Sequence, residues 1–297
     1  MVEQGHEVDG LITEWHRVFT LGGLVASLPW LINPLIHQPF LKRFLMPSKR
    51  QDWGSGHIML SHEKLFKRRL RNPSVARRGN MFDSFLNTKD SDGGPLSLQS
   101  AEYECFVFTV GAQDTTAAFM SAFVDHMLNN LNVKSRLLEE IDQFDRAGQI
   151  SSPVVSYEET TAMPYLMACC QETLRLSPSV SMVLPRYVSS GGMLIGSTWI
   201  PDGTEVSANP FVLHRDKTIF GEDAEVFNPD RWLGDANQVR TMEKYFFAFG
   251  YGSRKCIGRH LAVFKAQKFF VQVGRPVLSS LSIGLMMTWV SCSEGLT

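Results

Sequence analysis

The chain has 297 residues, 44% of them hydrophobic and 20% charged, which is enough apolar material for one large core or two modest domains. Its 29 lysines and arginines balance 30 aspartates and glutamates, so no overall field draws it to nucleic acid or to an anionic membrane. The five cysteines, Cys105, Cys169, Cys170, Cys256 and Cys292, contain no C-x-x-C pair for zinc or dithiol redox chemistry and point to a reducing, intracellular setting.

The opening MVEQGHEVDG has neither the basic start nor the apolar run of a signal peptide. Residues 1–45 read as helices turned at prolines. Within them, FTLGGLVASLPWLINPLI from Phe19 to Ile36 is uncharged but interrupted by Pro29 and Pro34. The run reads either as buried or interface-touching helices and loops, with peripheral membrane contact through residues 19–36, or as an intramembrane segment. The basic run KLFKRRLRNPSVARR, Lys64 to Arg78, lacks aromatic interleaving and is read as a solvated helix face, with no nucleic-acid partner. NTKDSDGG, from Asn87 to Gly94, is a turn.

From Ser97 to about Leu131 there is no proline and little charge at the centre, which predicts one long helix of about 45 Å running through the core. A second helix is predicted over Val133 to Phe144. A third begins near Tyr157, turns near Pro164 and stops at Pro178. Beyond it VLPRYV, MLIGSTWI and TEVSANPFVL read as a small antiparallel sheet. Residues from Ile219 to Arg240 read as mostly irregular. The expected fold class is mainly α with a small antiparallel β portion (α+β).

Four places set polar residues in apolar company. GAQDTT, Gly111 to Thr116, puts Asp114 and Thr115 in the middle of the long helix. Either Thr115 bonds back to a carbonyl one turn earlier, or the helix opens where a hydroxyl and an acid meet a bound reactant. Glu172 and Arg175, three apart in QETLRLSP, share a helix face and can pair, as an exposed doublet or as a buried group with Arg231 of FNPDRW as third member. Arg186 in LPRYV is a lone cation, placed at a strand edge or against an anionic cofactor group. His214 in VLHRDK reads as a turn histidine.

The fourth is FGYGSRKCIG, Phe249 to Gly258. Gly250, Gly252 and Gly258 permit tight turns, Arg254 brings a cation, and the chain turns helical after Cys256, where free amides and the helix dipole favour a thiolate. A nucleophile would need a base, and His260 has no orienting acid nearby; disulfide exchange would need a resolving cysteine. Ligation of haem iron by a single thiolate suits the stretch best.

With these residues in place the chain resembles cytochrome P450, the haem-thiolate monooxygenase family. The family signature, phenylalanine, two residues, glycine, one, arginine, one, cysteine, one, glycine, is matched by Phe249, Gly252, Arg254, Cys256 and Gly258. Glu172 and Arg175 match its Glu-x-x-Arg helix, and Arg231 the arginine that completes a triad steadying the haem-binding core. GAQDTT is similar to the oxygen-activation segment, with Ala112 where glycine is usual; Asp114 and Thr115 would organise water and deliver protons.

The resemblance implies haem (heme, iron protoporphyrin IX) with Cys256 as axial thiolate and metal ligand, and Arg186 and Arg254 near its propionates. It also implies O2, a small organic substrate, and electrons from NADPH through a separate flavoprotein, NADPH-cytochrome reductase. The text from GGMLIG to VFNPDRWLG is similar to fungal microsomal members of the pisatin demethylase and benzoate hydroxylase type. That likeness implies aromatic or secondary-metabolite substrates and, for a full-length relative, the endoplasmic reticulum membrane.

By resemblance, residues 1–297 form a single partial, N-terminally truncated domain of the family. Residues 1–90 correspond to substrate-roof helices, 97–131 to the long central helix and 157–178 to the Glu-x-x-Arg helix. The small sheet takes 182–215, the meander and Cys-ligand loop 219–258, the following helix 258–272, and 273–297 is an atypical tail. Two other readings stand beside it: a non-catalytic fragment unable to hold haem, and a haem-thiolate isomerase or dehydratase, against which the pair at Asp114 and Thr115 argues.

Overall fold

A computed structural model of the chain describes residues 10–26, 38, 54–71 and 79–274. The chain divides into two compact units, Met1–Val110 and Gly111–Thr297.

In the first unit, α1 (Leu11–Ala26) meets α2 (Gly54–Leu70) through a cap supplied from outside α2's own sequence: the Gly54 amide donates to Glu14 Oε2 at 2.6 Å. An orphan amide at a helix start is thereby satisfied by a carboxylate, the sign the helix dipole favours. Helix α3 (Met81–Asn87) begins at Asn80, whose side chain accepts from the Asp83 amide. Phe66, Ala101 and Cys105 are buried against Phe82, Phe85, Leu86 and Leu96. The predicted turn is present: Asp90 Oδ1 accepts from the amides of Asp92 and Gly94. Of the basic run, Lys64, Lys67, Arg68 and Arg71 are exposed on α2 and its end, and Lys67 pairs with Glu63, as a solvated face should; residues 72–78 lie outside the described residues. So do residues 27–36 of the uncharged run. Among the described residues no helix is long and apolar enough to cross a membrane.

The long helix α4 (Leu98–Asn129, 32 residues) forms as predicted and carries the boundary between the units. Its placement wholly within the core is corrected. In the second unit Thr116, Phe119, Phe123 and Met127 form one buried stripe, while Gln113, Ala117 and Ala118 are exposed. The stripe follows helical spacing because its partners cover one side: Phe270 stacks on Phe123 at 3.5 Å and meets Phe119 edge-on at 5.8 Å.

Helix α5 (Leu131–Arg146) buries Leu137 and Ile141. The predicted third helix is two: α6 (Tyr157–Thr161), opened by a Ser156/Glu159 capping box, and α7 (Pro164–Leu176), with Pro164 in its first turn. Glu140 of α5 accepts from the amides of Tyr165 and Leu166, both at 2.8 Å, so α7 starts where α5 places a carboxylate. The strands are antiparallel as expected, in two short ladders: β1 (Arg186–Tyr187) with β4 (Glu205–Val206), and between them the hairpin β2 (Met193–Ile195) with β3 (Thr198–Ile200).

Residues 219–240 are less irregular than predicted. After α8 (Pro210–Leu213) and α9 (Lys217–Phe220), Pro229–Trp232 form a 3-10 turn, and α10 (Ala236–Lys244) starts inside the stretch. The local cause is Asp235, which accepts from the amides of Asn237 and Gln238, both at 3.0 Å, while Met242 is buried on the core side. Asp235→Ala should cost about 1 kcal/mol in urea unfolding; an unchanged midpoint would show that the tertiary contact of Met242 alone holds this helix. Helix α11 (Arg259–Phe269) follows the cysteine loop and ends in a π turn, Phe270–Gly274. Most of the tail, residues 275–297, lies outside the described residues.

Candidate functional site

Glu172 is fully buried on α7 and its carboxylate collects five donors. Arg175 Nε reaches Oε2 and Nη2 reaches Oε1, both at 2.8 Å. The Asn228 amide (2.8 Å) and Arg231 Nε (3.0 Å) also donate to Oε1, and Trp232 Nε1 donates to Oε2 at 2.9 Å. Arg175 spends its remaining N–H groups on the carbonyls of His214 (2.7 Å), Ala224 (2.6 Å) and Val226 (3.1 Å). Arg231 uses its own on the Phe220, Asp223 and Val226 carbonyls and the Asp223 carboxylate.

The exposed doublet is therefore excluded. The side chains of Glu172, Arg175 and Arg231 are 0%, 0% and 5% exposed, and a buried ion group is tolerated because every polar atom is met. The planar guanidinium forks tie several carbonyls of this loop to one carboxylate, which a lysine could not do. Burial raises the Asp223 pKa, but hydrogen bonds from Asn228 and Arg231 outweigh that and hold its carboxyl below the usual range.

His214 is the residue that sequence reasoning undervalued. It is fully buried, at the C-terminal end of α8, and both ring nitrogens are engaged. The Phe247 amide donates to Nε2 at 2.8 Å, and Nδ1 lies 2.8 Å from the Arg175 carbonyl oxygen. An amide can only donate and a carbonyl can only accept, so the network assigns the proton to Nδ1. Burial pushes the imidazole pKa down to about 4, and the ring stacks 5.4 Å from Phe246. His214 thus joins the end of α7 to the start of the cysteine loop. Arg215 reinforces the joint by donating to the Leu176 carbonyl at 2.9 Å. The available signal was the exchange of bonds between His214 and Arg175, which no local pattern encodes.

The loop itself is closed by main-chain bonds. The Gly250 amide donates to the Phe247 carbonyl and the Cys256 amide to the Phe249 carbonyl, both at 2.8 Å. Gly250 (φ +69°) and Gly252 (φ +70°) take the left-handed backbone that other residues resist. Gly258 does not: its φ is −82°, and a Cβ there would stand 3.8 Å from Cys256 Sγ, an ordinary contact. Cys256 lies three residues ahead of Arg259, the first residue of α11, and its thiol is free and exposed.

In the long helix Thr115 Oγ1 donates to the Gly111 carbonyl at 2.7 Å, and the helix runs unbroken past it. The back-bonded alternative is what forms, without a local opening. Asp114 is half-buried beside it. Arg186 is exposed at β1 and, among the described residues, its side chain donates to the nearby Leu184 and Pro185 carbonyls. Arg254 ends the short 3-10 turn Gly252–Arg254 and is exposed. Among the described residues, no hydrogen bond or ion pair joins Asp114, Thr115, Arg186 or Arg254 to the triad or to Cys256.

This donor set fits haem. Cys256 offers one accessible sulfur, and among the described residues no group of three His, Cys, Asp or Glu side chains could hold a bare metal ion. A lone thiolate suits an iron whose other ligands come from a macrocycle. Arg254 and Arg186 are cations without acidic partners among the described residues, as propionate neighbours need to be.

The family model for cytochrome P450 matches residues 28–273. The chain is 29% identical over 269 residues to cytochrome P450 monooxygenase cicH of Emericella nidulans, covering 90% of this chain and 52% of that protein. It is 31% identical over 268 residues to quiannulatic acid synthase of Emericella variicolor (85% and 52%), and 28% over 275 residues to cytochrome P450 monooxygenase ACRTS1 of Alternaria alternata (91% and 71%). The chain spans about half the length of the first two of these curated relatives. The loop ending at Cys256, the buried group around Glu172, the mostly helical fold and the match over residues 28–273 agree: this chain belongs to the cytochrome P450 family.

Proposed function

We propose that this chain carries the cysteine-ligand side of a haem-thiolate monooxygenase that inserts one oxygen atom of O2 into a small organic substrate. The observation that carries the reading is the free thiol of Cys256, exposed at the end of a loop pinned by Gly250, Gly252 and the bond from Phe247 to His214. When bound, the haem would supply oxygen activation, and Cys256 would hold its iron through sulfur.

The chain's own residues have four tasks. Cys256 presents sulfur to the iron. Arg254 and Arg186 meet the propionates with positive charge, which costs little rearrangement because, among the described residues, neither is tied to an acid. Glu172, Arg175 and Arg231 act on the cofactor only by holding the segment that leads into the loop. On α4, Asp114 and Thr115 hold and pass protons; Thr115 keeps acceptor capacity on its hydroxyl oxygen while its proton is engaged with Gly111. This acid and hydroxyl pair favours oxygen chemistry over isomerase or dehydratase chemistry, which needs no proton delivery to O2.

Electrons come from NADPH through a separate flavoprotein reductase. The substrate is an aromatic or secondary-metabolite molecule of the kind fungal relatives of the pisatin demethylase and benzoate hydroxylase type take, at the endoplasmic reticulum membrane, with residues 1–90 contributing to the substrate roof. In haem-reconstituted protein, Cys256→Ala should abolish the thiolate-type Soret band of the reduced carbon-monoxide complex. Retention of that band would assign the ligand to another residue.

A further inference from the structure

The loop that leaves α7 is fastened to the long helix at two points. Ser177 Oγ and His126 Nε2 lie 2.9 Å apart, and His126 stacks on Phe227 at 4.4 Å. Two residues on, after the buried Pro178, Ser179 Oγ donates to the Thr115 carbonyl at 2.8 Å.

The second bond is the unusual one. A carbonyl in the middle of an α-helix already has a partner, the amide four residues on, so Ser179 is not needed to satisfy it. The oxygen has a second lone pair, so Ser179 adds a bond without displacing the helical one and fixes the turn from outside the helix. Thr115 is thereby held from two sides, its hydroxyl on the Gly111 carbonyl and its carbonyl on Ser179. Asp114, which makes no side-chain hydrogen bond among the described residues, is carried on the same turn.

We propose that Ser179 is a positioning residue that sets the turn carrying Asp114 and Thr115, and so sets where their carboxylate and hydroxyl stand for proton delivery. The inference rests on the monooxygenase reading for its consequence, while the tether itself can be measured without haem. Ser179 touches no reacting atom; it acts through Thr115.

The test uses the full chain as Ser179→Ala and Ser179→Thr, because threonine keeps the donor. By amide hydrogen exchange of the haem-free protein, residues 112–119 should exchange about five-fold faster in Ser179→Ala, the loss of one hydrogen bond, and return to the unsubstituted rate in Ser179→Thr. In the reconstituted chain supplied with NADPH and reductase, hydrogen peroxide released per NADPH consumed should rise in Ser179→Ala and be restored in Ser179→Thr, with the thiolate band kept in both.

Equal exchange in Ser179→Ala overturns the tether whatever the haem does. Faster exchange with unchanged peroxide yield overturns the proton-delivery role. Absence of the thiolate band from the unsubstituted chain overturns the monooxygenase reading and the proton role with it, a result separable from the exchange measurement.

Discussion

Glu172→Ala should destabilise the second unit by about 3–5 kcal/mol, because it leaves two buried guanidinium groups without their shared carboxylate. That is a large share of a total stability of about 5–15 kcal/mol, so the urea midpoint should fall markedly. The structure gives the reason for the size: Asn228, Arg231 and Trp232 reach Glu172 from a segment more than fifty residues away in sequence, so one carboxylate holds the meander to α7. Glu172→Gln, similar in volume, should still cost more than a surface change, since an amide nitrogen would face donors on one side. Urea denaturation measures both; a Glu172→Ala midpoint within error of the unsubstituted chain would mean that the segment packs without its ion group.

The second large effect is on pH. His214 has a folded pKa of about 4, against about 6.5 for a free imidazole. A group whose folded pKa is depressed contributes stability that is fully present above the unfolded value and is lost as pH falls through the folded one. Stability should therefore decline between about pH 6.5 and pH 4, by up to about 3 kcal/mol from this group alone.

Protonation puts a hydrogen on Nε2, where the Phe247 amide already points, so the bond to the cysteine loop is the one that breaks. Burial is the main cause of the shift. The positive Arg175 and Arg215 push the same way, and the Arg175 carbonyl and the Glu172 carboxylate oppose it. His126 is also lowered by burial and acts in the same direction, so the effect is isolated by substitution. His214→Gln should be less stable at neutral pH yet lose less on acidification; an identical pH slope would remove His214 from the account.

Much of this was legible in the chain because its signals are local. FGYGSRKCIG encodes its own turn through Gly250 and Gly252, and the long helix announces itself by lacking proline over more than thirty residues and carrying little charge at its centre. The triad was legible as a pattern, Glu172 with Arg175 on one helix face and Arg231 beside a proline turn, but its burial was not, since burial depends on where the meander folds back.

Other features were hidden for different physical reasons. The long helix is apolar nearly all round, so periodicity gave no hint of which stripe is covered. Helix α10 depends on a single cap, Asp235, inside a stretch rich in turn formers. His214 and Ser179 act through main-chain atoms of Phe247 and Thr115, and a backbone carbonyl or amide has no residue identity to read.

The central claim is that Cys256 in this loop binds haem iron as a thiolate. The direct measurement is the carbon-monoxide difference spectrum of the reduced, haem-reconstituted chain. The account predicts the red-shifted Soret band of a thiolate-ligated haem, and a chain that takes up no haem, or gives only the blue-shifted band of neutral axial ligation, would contradict it.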